Sequence, residues 1–364
     1  MSRYLRKKNF SRCWRKKVKS KVYFTSEISL ASIEKIAAMP EFVQTFRPRN
    51  FAALKIHFGE ENNRGYIRPE FVRPLVNKIK EIGAYPFLTD TNTIYIGKRA
   101  DAYHHLLVAA EHGFSLENCG CPIIIADGLR GNAAVEVTIN KKHFARVLIA
   151  NSLYAADSLL VLTHFKGHEI SGFGGAIKNI GMGAGTRAGK YAMHDKLHPN
   201  LNLEKCSGCG ECIKWCSGRA LTLVNKVIHL NPEKCNGCGE CILSCPQKVF
   251  VIPWDDSTKN VQEKMVEYAY GALQNKPAFF INFLNHLTKF CDCYATKEPP
   301  LLADIGIVWG QDIVAVDRAS IDLVNKKFGQ DFARYNWPEI DWQVQLDYAQ
   351  QLGLGSQEYQ LIEL

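Results

Sequence analysis

The chain has 364 residues and a mass of 41.0 kDa, enough for about two or three domains, and its 46% apolar content supplies a sizeable core. Its net charge of +9 belongs to one end: ten of the 45 basic residues fall in the first 21 positions without an acid, leaving 35 bases against 36 acids elsewhere. A near-neutral body argues against nucleic-acid binding by the fold. No apolar run approaches the roughly 18 residues of a membrane span, and the lack of an apolar signal core predicts a cytoplasmic protein.

Residues 1–20 read as a basic, disordered tail, with contact to an anionic membrane or nucleic acid as its alternative role. An α/β domain is expected over 21–199. Phe51–His57 reads as a buried strand, and Arg68–Ile82 is apolar at helical spacing up to Gly83. A strand at Tyr85–Thr89 and a helix at Ala100–His112, stopped by Gly113, follow. Ile123–Ala126 and Ser158–Thr163 read as buried strands, and Val135–Ile139 as a half-exposed one. Such alternation predicts a mostly parallel sheet covered by helices, with sites at the carboxyl ends of the strands. Asp90, Asp127 and Asp304 stand at or just beyond strand-like runs, without an assignable role. Cys119 and Cys121 form a close pair that reads more readily as core than as ligands.

From Thr163 to His198 glycine is dense, at 172, 174, 175, 181, 183, 185 and 189, and is interleaved with Lys178, Asn179, Arg187 and Lys190. Backbone of this kind turns tightly or approaches another group closely. Free N–H groups beside Lys and Arg would suit a phosphate or carboxylate, and a structural loop is the alternative. The Walker A pattern fails at Ala184 and Tyr191. Lys166, His168, Lys178 and Arg187 are the candidate substrate-binding residues of this run. His164 and His168 could share a helical face as metal ligands.

Residues 200–253 hold eight of the 13 cysteines. Cys206, Cys209, Cys212 and Cys216, then Cys235, Cys238, Cys241 and Cys245, repeat the pattern C-x2-C-x2-C-x3-C of two-cluster ferredoxins. In that pattern three thiolates curl around one cubane while the fourth ligates the other. The expected sets are Cys206, Cys209, Cys212 and Cys245 for one [4Fe-4S] cluster, and Cys235, Cys238, Cys241 and Cys216 for the second. Gly208, Gly210, Gly237 and Gly239 would let backbone N–H groups approach the cluster sulfurs. A disulfide framework needs an oxidising compartment, and zinc ribbons use pairs of cysteines, not triplets.

In 254–364, Thr258–Leu273 reads as an amphipathic helix and Ala278–Leu284 as a buried strand. Ile305–Val308 and Ile313–Val316 are short apolar runs, and Ile340–Leu352 is a last helix stopped by Gly353. These elements show no separate core pattern, so they are expected to complete the first domain. The ferredoxin-like α+β unit is then an insertion into a discontinuous α/β body. Cys291-Asp292-Cys293 suits two thiolates on a small further metal centre, a redox-active pair, or two buried cysteines.

The stretch His164–Gly183 (HFKGHEISGFGGAIKNIGMG), with Phe87–Tyr95 (FLTDTNTIY), Ala126–Leu129 (ADGL) and Phe290–Cys293 (FCDC), resembles one family. It is similar to the bacterial and archaeal iron–sulfur proteins that bear domain of unknown function 362 with an inserted two-cluster ferredoxin. The resemblance runs from Ser20 to Leu364 and departs at Ala184, where the family pattern often has a cysteine. It implies the fold and the two clusters and leaves the reaction open. The expected function is electron transfer through two clusters to a site in the body, involving a redox partner protein and a small-molecule substrate. The alternative is a non-enzymatic electron donor or a metal- or cluster-handling protein. No dinucleotide fingerprint follows a strand.

Overall fold

The computed structural model describes residues 19–194, 198–252, 256–293 and 298–364. Most of the basic tail lies outside them; its last residue, Ser20, opens the first strand. One eight-stranded sheet organises the chain, built from β1 (Ser20–Thr25), β2 (Phe51–Lys55), β3 (Tyr85–Asp90), β4 (Ile123–Ile125), β5 (Ser158–His164), β6 (Ala278–Leu284), β7 (Gly306–Gly310) and β8 (Tyr359–Glu363). The spatial order is β8-β1-β7-β6-β5-β2-β3-β4, and only β7 runs against the others.

Strands with continuous apolar runs fit this sheet because both faces are covered. Along β5, Leu159 and Val161 enter one apolar cluster while Leu160 and Leu162 enter the other; Phe280 and Phe279 divide in the same way on β6. The seven helices that matter most are α1 (Leu30–Ala38), α2 (Val72–Glu81), α3 (Ala102–Glu111), α4 (Ala176–Ala184), α5 (Arg187–Met193), α6 (Thr258–Leu273) and α7 (Ile313–Phe328). α1 and α2 cover one face through Ile33, Ile36, Leu75 and Ile79. α4, α6 and α7 cover the other through Ile177, Ile180, Val266, Val316 and Ile321. No helix among the described residues is long and apolar enough to cross a membrane.

Several expectations are corrected. Ile313–Val316 is not a short isolated run but the first turn of a 16-residue helix. Asp312 starts it by accepting from Val314 N and Ala315 N, each at 3.0 Å. Nine of its residues are buried, among them the polar Asp317 and Ser320, so the buried face does not read as an apolar helical period beyond Val316. Val135–Ile139 belongs to a hairpin outside the main sheet, Ala134–Thr138 against Arg146–Ala150. The last helix is shorter than expected, Gln343–Gln351.

The segment from 200 to 252 adds no strand to the main sheet. Its ends pair with each other, Asn200 opposite Val251, so the chain leaves and re-enters at one place. Between them lie the hairpin Leu221–Val224/Val227–Leu230 and the short helices Glu211–Lys214 and Glu240–Ser244. Leu221, Ile228, Ile242, Val249 and Phe250 form a separate apolar cluster, joined from the body by Ile94 and Tyr191.

Candidate functional site

Of the eight cysteines of this segment, one quartet shares a hollow and the other four are electrostatic neighbours of one another. Cys206, Cys209, Cys212 and Cys245 wall a single hollow with Gly210 and Val249. Burial pushes the Cys212 thiol up to about 11, followed by the charges of Cys245, Cys209 and Cys206. Burial also pushes Cys241 up, and its strongest charged neighbours are Cys238 and Cys235, with Cys212 and Cys216 behind them. Gly208, Gly210, Gly237 and Gly239 all adopt positive φ between 68° and 73°, a repeat of one loop that side chains rarely follow. Backbone N–H groups donate to two of the sulfurs, Ala220 N to Cys216 at 3.2 Å and Val249 N to Cys245 at 3.4 Å. Among the described residues no three His, Cys, Asp or Glu side chains converge as they would on a single ion. A cubane makes a different demand, since each thiolate binds a different iron of the cluster. These quartets are compatible with iron–sulfur binding.

A second feature lies at the carboxyl ends of the parallel strands: a cavity of about 400 Å³. β2, β3, β5 and β6 deliver residues at or beyond their ends to the wall. β2 ends in Lys55 with His57 just beyond, and β3 ends in Asp90. The turn after β5 brings Lys166 and His168, and the loop after β6 brings Cys291 and Cys293. Helix α4 adds Lys178 and Asn179, and α5 adds Lys190.

The cations of this wall are held individually. Lys55 Nζ lies 2.9 Å from Asp90 Oδ1 and donates to Asn179 Oδ1 at 2.7 Å. Lys166 Nζ lies 2.8 Å from Asp292 Oδ2 and donates to the His164 carbonyl at 2.7 Å. Among the described residues Lys190 Nζ has no carboxylate within ion-pair distance, and it donates to Thr91 Oγ1 at 2.6 Å and to the carbonyls of Asn92 and Gly185. Burial lowers its pKa to about 8. Lys178 Nζ donates to Cys291 Sγ at 2.9 Å.

The cysteine pair is the most polarised part of the wall. Cys291 Sγ and Cys293 Sγ are 3.2 Å apart, and His57 Nε2 is 3.7 Å from Cys293. The contact with Cys293 lowers Cys291 to about 6, against the effect of burial and with help from Lys178 and Lys166. Burial opposes the Lys178 charge, yet Cys291 and Cys293 outweigh it and hold that ammonium in place. Burial lowers both His57 and His168 to about 4, so both rings are neutral near pH 7. Burial disfavours the Asp90 carboxylate, but the charges of Lys55 and Arg99 outweigh it and keep it ionised. The wall therefore combines a thiolate, neutral imidazoles and an excess of cations, an arrangement suited to an anionic molecule and to thiol chemistry.

Lys166, His168, Lys178, Cys291 and Cys293 thus meet in one place, whereas Arg187 does not. Its guanidinium is fully buried and points to the cysteine-rich segment, donating to Glu240 Oε1 at 2.9 Å and to the carbonyls of Thr93 and Ala100. His164 and His168 share no helical face. His164 closes β5 with its ring 2.9 Å from Asp292 Oδ1, away from the cavity wall.

The glycine-rich run has a mainly structural explanation. The N-terminus of α4 is already filled by a carboxylate of the chain, Asp317, which accepts from Ala176 N at 2.7 Å and Ile177 N at 2.8 Å. A phosphate is not needed there. A Cβ at Gly175 would meet that carboxylate, and one at Gly181 would meet the Met265 carbonyl of α6. Sequence reasoning missed Lys55, His57 and Arg99, and it gave Asp90 no role. The signal of Lys55, His57 and Asp90 was position alone, at or just past strand ends that both faces of the sheet had to bury, whereas Arg99 lies nine residues beyond β3 and had none.

The profile of the family described as domain of unknown function (DUF362) matches residues 52–322. No curated protein matches the sequence. Among solved structures, the lactate racemase apoprotein from Thermoanaerobacterium thermosaccharolyticum superposes with a TM-score of 0.38 at 14% identity, covering 72% of this chain and 50% of that one. A Thermotoga maritima protein solved by a structural genomics consortium gives a TM-score of 0.43 at 8% identity, covering 84% and 60%. The chain therefore spans about half to three-fifths of the length of these structures. The profile match takes in β2 to β7, the cysteine-rich segment and all the cavity residues named above, and by it the chain belongs to the DUF362 family.

Proposed function

We propose that the chain is an iron–sulfur redox protein that passes electrons from its cysteine-rich segment, as an inserted two-cluster ferredoxin-like domain, to the cavity in the α/β body. Two [4Fe-4S] clusters, ligated by Cys206, Cys209, Cys212 and Cys245 and by Cys235, Cys238, Cys241 and Cys216, would each supply one-electron chemistry. The observation that carries the reading is the contact between the second quartet's loop and α5. An added Cβ at Gly239, between Cys238 and Cys241, would lie 2.6 Å from Tyr191 Cε2. The residue before Tyr191, Lys190, is already in the cavity wall. Arg187 and Glu240 fix this junction with a buried ion pair. Of the first quartet Cys209 is exposed, and a redox partner protein would reach the cluster at that sulfur. In the cavity, Lys178 and Lys190 would hold an anionic substrate, and neutral His57 and His168 could exchange protons with it.

The test is anaerobic purification followed by iron and sulfide analysis and electron paramagnetic resonance of the reduced protein. Full-length chain should carry about eight irons and show two interacting reduced clusters. Cys212→Ala should lose about half of the iron. A folded, colourless, iron-free preparation, or unchanged iron in Cys212→Ala, refutes the proposal.

A further inference from the structure

We propose that Cys291 and Cys293 form a reversible dithiol–disulfide couple in the cavity wall, which collects two electrons singly and returns them as a pair. The inference deepens the proposed function by naming the acceptor, and it rests on that reading only for the source of the electrons.

The geometry separates this pair from ordinary buried cysteines, for which the same chain supplies a control. Cys119 and Cys121 are also two residues apart and fully buried, but they belong to an apolar cluster under the sheet. Burial, with Cys119 behind it, pushes the Cys121 thiol up to about 12. Cys291 and Cys293 instead open onto a cavity, with sulfurs 3.2 Å apart. Closing that gap to a bond of about 2.05 Å is a small movement. Lys178 Nζ sits 2.9 Å from Cys291 Sγ, where it stabilises the thiolate. A metal centre is the poorer account: His57 is the nearest further ligand, 3.7 Å from Cys293, and among the described residues no trio is arranged to share an ion.

The step balances. In the oxidised state one S–S bond joins the two sulfurs. Two electrons enter, one from each reduced cluster, which an external one-electron donor protein has charged. The S–S bond breaks, Cys291 remains a thiolate against the Lys178 ammonium, and one proton goes to Cys293 from the cavity, with His57 placed to pass it. The reverse step releases both electrons and that proton to an anionic substrate, which is reduced by two electrons while the S–S bond re-forms. A pair of one-electron centres thereby performs two-electron chemistry.

The experiment uses the full, anaerobically purified chain. It is oxidised with diamide, unfolded in iodoacetamide and digested with trypsin, and the peptide 290–297 is weighed. Most of that peptide should be unalkylated and lighter by two hydrogens, and dithionite reduction before unfolding should render it doubly alkylated. Cys293→Ser should give a singly alkylated peptide under both conditions. Lys178→Met should make the disulfide at least tenfold harder to reduce in a thiol redox buffer, about 30 mV lower in potential, because the reduced thiolate loses its counter-ion. A doubly alkylated peptide after oxidation overturns the couple, as does protection from alkylation without the loss of two hydrogens. Iron is measured on the same sample, so failure of the couple is distinguished from failure of the cluster reading. A disulfide in iron-free protein supports the couple and removes only its electron source.

Discussion

The two halves of the cysteine-rich segment repeat one loop, and an identical substitution in each should have unequal effects. Gly210 and Gly239 occupy equivalent positions, with φ of 73° and 70°. Alanine at either position places a Cβ in the left-handed region, which costs about 1–2 kcal/mol. At Gly210 the new atom meets only Leu223 Cδ1 at 3.5 Å, an ordinary contact. At Gly239 it would lie 2.6 Å from Tyr191 Cε2 and 2.9 Å from Arg187 Cδ. Neither neighbour can yield easily, since Tyr191 is 1% exposed and Arg187 is held by Glu240. Overpacking of this kind adds about 1–3 kcal/mol. Gly239→Ala should therefore destabilise by about 2–5 kcal/mol and Gly210→Ala by about 1–2 kcal/mol. Anaerobic urea unfolding, followed by circular dichroism with iron counted per chain, measures both. Equal shifts, or a larger one for Gly210→Ala, would show that the second loop does not bear on α5.

Two further outcomes are expected. Alkylation of Cys291 should follow a thiolate titrating near pH 6, with reactivity rising as pH increases through that value, whereas Cys293 is raised above the ordinary thiol range and should lag. Lys178→Met should shift the Cys291 inflection upward and slow its reaction at pH 6.5 by more than about tenfold, read by mass spectrometry; an unmoved inflection would remove Lys178 as the counter-ion. Glu240→Ala should cost about 3–5 kcal/mol, because it leaves the Arg187 guanidinium buried without its counter-charge. Arg130→Ala, which removes the half-exposed partner on the other Glu240 oxygen, should cost at most about 1 kcal/mol. The two are compared by urea unfolding, and similar losses would mean that the buried pair is not what fixes the junction.

Much of the fold was legible because the central strands are apolar on both faces. The expected strand Ala278–Leu284 and helix Thr258–Leu273 coincide with β6 and α6. The parallel α/β reading holds, with β7 as the antiparallel exception. At one edge of the sheet the two strands β8 and β1 were missed for a physical reason, whereas β4 at the other edge was expected. β1 emerges from a run of lysine and arginine, and β8 is a short strand of half-exposed residues paired, among the described residues, with β1 alone. Neither carries the apolar surplus that betrays an internal strand.

The site was legible as an inventory and illegible as a geometry. Lys166, His168, Lys178, Cys291 and Cys293 could be chosen by residue type, and the topology brings them to one wall. Arg187 was indistinguishable from them in sequence, because a buried arginine aimed at a glutamate 53 positions away has no local pattern. The same limit explains Asp317, whose carboxylate fills the N-terminus of α4 from 141 residues beyond Ala176. Glycine density misled in the same direction. It marks close approach of backbone to some other group, and the chain satisfied that approach with its own atoms: the Asp317 carboxylate at Gly175, the Met265 carbonyl at Gly181, and the ammonium end of Lys55 at Gly183. What packs α4 so tightly also aims its remaining polar face. With Gly181 pressed on α6 and Gly183 on Lys55, α4 is seated with Lys178 and Asn179 in the cavity wall, which is how a packing motif comes to place the ammonium beside Cys291.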